Sequence, residues 1–105
     1  MNLQEIIRDL SKELNYLYLI ASPPDDSRIE KIVGALDTLS LAALKQTLDE
    51  DSKDFKSATK AINTATNAAE KALNGLAKTA DAIAKAAKAV KAIDILLKYG
   101  GPLIA

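Results

Sequence analysis

The chain has 105 residues, 27% of them charged, with 14 basic and 14 acidic side chains and a formal net charge of zero. This length supports one domain with a core of its own. Cysteine and histidine are both absent, which excludes disulfides, thiolate nucleophiles, Cys metal sites, serine and cysteine triads, and Glu-x-x-His di-iron chemistry.

Nineteen alanines, against four glycines and three prolines, give the composition of an all-α protein. At the start, Leu3, Ile6, Ile7, Leu10, Leu14, Leu17 and Ala21 share one face at helical spacing. Polar Glu5, Arg8, Asp9, Lys12 and Glu13 cover the other face. This predicts a first helix over 3–21, capped by Asn2 with Glu5 in the capping-box position. The segment has no basic leader pattern, and its longest uncharged stretch, Leu14–Pro24, is shorter than the roughly 20 apolar residues a membrane span needs. The expected location is therefore cytoplasmic. Tyr16 and Tyr18 read as core or boundary residues, or as a small binding patch.

"SPPDDS" (22–27) ends the first helix, because prolines remove amide donors and restrict the residue before them. With Asp26 or Ser27 as cap, a second helix follows over 27–48. Its face is Ile29, Ile32, Val33, Leu36, Ser40, Ala43 and Leu48. Leu41 lies off that stripe, which implies either a kink near 37–40 or a second contact face.

The acidic run Asp49, Glu50, Asp51 and Asp54 suits a helix start, with Asp51 as cap. It fails as a calcium loop: Lys53 stands at the fifth place, Asp54 at the glycine place and Lys60 at the twelfth. The paired carboxylates Glu5 with Asp9, and Asp25 with Asp26, fall on a polar face or in a loop and suggest no acid–base chemistry. No phosphate-loop spacing surrounds the glycines. No enzyme activity, metal or cofactor is expected.

From Phe55 a heptad holds its phase. Positions 55, 62, 69, 76, 83, 90 and 97 read Phe, Ile, Ala, Leu, Ile, Val and Leu, and Ala58, Ala65, Ala72, Thr79, Ala86 and Ile93 follow each by three. Asn74-Gly75 sits inside this run. As a turn it would give an up-down four-helix bundle. As part of one helix over 52–99, Gly75 would extend the small-residue series Ala61, Ala68, Ala82, Ala89. The unbroken register favours the long helix, packed on a hairpin of the first two. Gly100-Gly101-Pro102 would stop it.

A rod of that length outruns its cover. The reading therefore expects a non-enzymatic assembly module acting as a homo-oligomer or on a helical protein partner. Gly75, Leu76, Ala82, Ile83, Val90, Ile93 and Leu97 would form the partner-binding seam. Residues 1–57 carry 11 acidic and 7 basic side chains, a balance of −4, and residues 58–105 carry 3 and 7, a balance of +4. Opposite halves could set orientation. Overall neutrality argues against nucleic acid. The alternative is a membrane-active protein, since Lys71, Lys78, Lys85, Lys88, Lys91 and Lys98 fringe the last helix and the tail is apolar.

Overall fold

The computed structural model describes residues 2–100. Within them the chain forms four helices: α1 (Leu3–Ile20), α2 (Asp25–Leu44), α3 (Lys53–Leu73) and α4 (Thr79–Ile95), followed by a π-helical turn at Leu96–Gly100. Asn2 caps α1, its Oδ1 accepting the Gln4 N–H at 2.9 Å. The α1 stripe Leu3, Ile6, Ile7, Leu10, Leu14 and Leu17 is buried as its spacing requires. Ala21 then turns extended ahead of the two prolines.

The second helix begins and ends earlier than its pattern suggested. Asp25 and Asp26 occupy its first turn, where negative charge meets the exposed amides, and the capping position falls on Pro24. Leu48 lies beyond the helix. The chain leaves α2 at Leu44, and Lys45 and Gln46 donate to the Ala42 and Ala43 carbonyls in a tightened last turn. Asp49 Oδ1 accepts the Asp51 N–H at 3.0 Å and Asp49 O accepts the Ser52 N–H at 3.1 Å. This turn puts Ser52, not Asp51, at the cap of α3, where its Oγ accepts the Phe55 N–H at 3.1 Å.

The continuous helix over 52–99 is not formed. Asn74-Gly75 is a chain reversal. Gly75 adopts φ +73°, the left-handed region that favours glycine. The Gly75 N–H donates to Ala72 O at 3.2 Å and the Leu76 N–H to Lys71 O at 2.8 Å. These are the paired bonds of a Schellman cap, which satisfies carbonyls that a helix end leaves open. The architecture is therefore the four-helix alternative.

The heptad phase also changes across the turn. In α3 the buried residues Phe55, Ala58, Ile62, Ala65, Ala69 and Ala72 keep the original register. In α4 the fully enclosed residues are Ala82, Ala86, Ala89, Ile93 and Leu96, while Ile83 and Val90 flank the core half-buried. The inward stripe has moved one residue toward the N-terminus at every second position. Alanine at 82 and 89 conceals the slip, because it fits a seam and its border equally well.

α1 packs on α2 and α3, and α4 packs on α3 and α2. α2 and α3, consecutive in sequence, thus sit at opposite corners, and segment 45–52 crosses one end of the bundle. The start of α1 (Asn2, Leu3, Gln4) and Phe55 of α3 line one cavity with Ala43 and Leu48. α1 and α3 therefore begin at the same end and run in parallel, as α2 and α4 do. The 46 × 21 × 18 Å body encloses one core, centred on Leu10, Leu14, Leu36, Ile62, Ile93 and Leu96.

Candidate docking surface

Most of the expected partner seam is used inside the chain. Ala82 and Ile93 are fully buried, Leu97 nearly so, and Ile83 and Val90 pack against the same core. α2 and α3 cover most of the strip that a rod would have left bare, and Ile83 and Val90 keep part of their surface exposed at its border. Gly75 and Leu76 are separated from them, exposed in the α3–α4 turn. The physical reason is the reversal itself: once the chain folds back, each half of the heptad run covers the other.

What remains exposed and apolar lies elsewhere. Leu19 is 76% exposed, Ile20 64% and Leu76 76%. Tyr16 and Tyr18, in the same last two turns of α1, are also exposed. Residues 16, 19 and 20 share one helix face by their spacing. Because α1 and α3 run in parallel, the end of α1 and the turn after α3 occupy the same end of the bundle. The α1–α2 and α3–α4 connections stand there side by side. Leu41, Leu44 and Tyr99 are exposed toward the opposite end.

Asp25 and Asp26 stand in the first turn of α2, while Lys71 in the last turn of α3 and Lys78 at the cap of α4 are accompanied by Glu70 and Asp81. Asp25 meets Arg28 at 3.6 Å. Asp26 and Lys78 have no ionic partner among the described residues. Lys78 also occupies the cap position of α4 without a side-chain hydrogen bond, a cation at the positive end of a helix dipole.

Leu19 and Ile20 had a sequence signal. "YLYLI" (16–20) is five consecutive apolar residues at the end of an amphipathic helix. A helix of that kind buries about three or four positions in seven, so some of the five must face outward. Leu17 alone takes the core position.

A second concave feature runs between α3 and α4, a shallow groove of about 260 Å³ lined by Ser57, Lys60, Ala61, Thr64, Lys85 and Lys88. Among the described residues no group of three or more Asp or Glu side chains could hold a metal ion, and no helix is long and apolar enough to cross a membrane. No family model, curated protein or solved structure matches the chain.

Proposed function

We propose that the chain is a non-enzymatic docking module that buries its apolar end, Leu19, Ile20 and Leu76, against a protein partner. The observation that supports this is the exposure of three large aliphatic side chains at the end formed by the two helical connections; Leu41, Leu44 and Tyr99 are exposed toward the other end. Apolar residues exposed singly are ordinary, whereas several gathered at one end mark a contact surface. The bundle acts as a rigid support. Two helical connections hold the end residues in place, and one of these connections is pinned by the Schellman cap at Gly75.

This differs in location from the seam that the heptad pattern suggested, but not in kind: the driving force is still burial of apolar helix surface. Site-specific photo-crosslinking tests it. A benzophenone side chain placed at position 19 or 76 should give discrete protein adducts in cells expressing the chain. The same probe at exposed position 91, on the far stretch of α4, should give none. Equal labelling at all three positions would remove the proposal.

A further inference from the structure

We infer that Asn74-Gly75 is a site of covalent self-modification: in the native chain Asn74 converts, without an enzyme, to aspartate and isoaspartate. The inference goes beyond the docking reading and does not depend on it. Asparagine is among the chemically labile side chains. Asn74 is the one asparagine in the sequence that precedes glycine; Asn2, Asn15, Asn63 and Asn67 precede Leu, Tyr, Thr and Ala. Glycine has no Cβ to crowd its own amide nitrogen, so that nitrogen can approach a neighbouring side chain. Both residues of the pair are exposed to water, and a carbon added at Gly75 would meet nothing within 4 Å.

The step needs only the chain and water. The Gly75 backbone nitrogen gives up its proton to hydroxide and attacks Cγ of Asn74. The new C–N bond closes a five-membered imide. The Cγ–Nδ2 bond breaks, and that nitrogen takes a proton from water and leaves as ammonia. Water then opens the imide. Opening at the former side-chain carbonyl gives aspartate, and opening at the main-chain carbonyl gives isoaspartate, in which the backbone runs through Cβ.

The folded geometry gates the reaction. Asn74 holds φ −91° and ψ 6°, which sets the Gly75 nitrogen beside Asn74's own nitrogen and turned away from its Cβ. The ring closes only after ψ rotates. Two bonds resist that rotation: the Gly75 N–H donates to Ala72 O at 3.2 Å, and Asn74 Nδ2 donates to Glu70 O at 3.0 Å. Both belong to a helix end, the part of a fold that opens most readily. Asn63 and Asn67 lie inside α3, where the same rotation would break the helix. Native conversion therefore follows local opening of the α3–α4 turn.

The product favours the open state. The amide donor to Glu70 O is lost, and a carboxylate replaces it at the negative end of α3, one turn from Glu70. Isoaspartate also inserts an extra backbone atom into the bonded turn of the Schellman cap.

Incubating the purified full-length chain in heavy-oxygen water at mildly alkaline pH, then digesting with trypsin, tests this by mass spectrometry. Only product formed before digestion carries the label. Trypsin releases Asn74 in peptide 72–78, and Asn63 with Asn67 in peptide 61–71. Labelled aspartate and isoaspartate are expected in 72–78, with none in 61–71. The native rate should be about 5–30-fold below that of the urea-unfolded chain, the factor that one or two broken end-of-helix bonds imply. Urea below the unfolding transition should barely change it, since opening one turn exposes little surface. Asn74→Gln should abolish labelling of 72–78, because its ring would need one more atom.

No label at native Asn74, over a time that converts it in the unfolded chain, would overturn the inference. So would equal labelling of 61–71, or a rate that climbs steeply with urea, since global unfolding would then be the route. The converted fraction, separated by anion exchange on its added negative charge, should unfold at a lower urea midpoint than fresh protein. An unchanged midpoint would overturn the coupling of the modification to the turn.

Discussion

The Leu76 N–H donates to the Lys71 carbonyl at 2.8 Å, spanning the left-handed Gly75 between them. That bond reverses the chain and converts one heptad run into two packed helices. It also leaves the Leu76 side chain outside, because the position it would pack on, Lys71, is charged. Gly75→Ala separates the two geometries by sign. In an unbroken helix alanine would stabilise the chain by about 1 kcal/mol. At φ +73° with open space around the added carbon, the backbone strain instead costs about 1–2 kcal/mol. Urea denaturation followed by circular dichroism reads the difference, and a stabilised variant would contradict the turn.

Lys78 stands where a helix prefers Ser, Thr, Asp or Asn. Lys78→Asp should stabilise the monomer by about 1 kcal/mol, combining a side-chain cap with a favourable charge at the α4 N-terminus. Thermal denaturation reads the gain, and an unchanged midpoint would mean that the α4 N-terminus is already satisfied.

The sequence was informative wherever one local rule decided the outcome. The α1 face, the proline break and the α3 face appear as their patterns imply, because each follows from spacing or from a missing amide; Asn2 caps α1 as well, but through the Gln4 N–H and without a Glu5 capping-box bond among the described residues. Asn74-Gly75 was ambiguous because two rules met there. Turn chemistry favoured reversal and register favoured continuity, and the phase slip in α4 was masked by Ala82 and Ala89. The docking end was less legible still. It joins residues 19, 20 and 76 through the parallel placement of α1 and α3, which no periodicity encodes. The end of α2 was misjudged for a similar reason: Leu48 fits the helical stripe, but the chain must cross the bundle end to start α3.

Ser11 is buried on α1, and its Oγ has no hydrogen-bond partner. A hydroxyl removed from water without compensation costs about 1–3 kcal/mol. Ser11→Ala removes that group, leaves almost no cavity and improves helix propensity. The expected result is a gain of about 1 kcal/mol in unfolding free energy, visible as a higher urea midpoint at unchanged slope. A loss of stability would mean that the hydroxyl is satisfied in solution, for example by a bound water.

The buried faces of α3 and α4, which pack on each other, are rich in alanine. Ala58, Ala65, Ala68, Ala69 and Ala72 on one helix, and Ala82, Ala86 and Ala89 on the other, are buried in the core. Small side chains let helix axes approach closely, and such an interface has little room to accept volume. Ala86 is fully enclosed, whereas Ala84 and Ala87 of the same helix are exposed. Ala86→Leu should therefore destabilise the bundle by about 1–3 kcal/mol through overpacking. Ala87→Leu, at an exposed site, should stay within about 0.5 kcal/mol of the wild type. The pair controls for helix propensity, since both replace alanine with leucine in one helix. Urea denaturation measures both. If Ala86→Leu stabilised the chain while Ala87→Leu did not, position 86 would face an open groove instead of a closed seam, and the intramolecular packing of α4 on α3 would have to be abandoned.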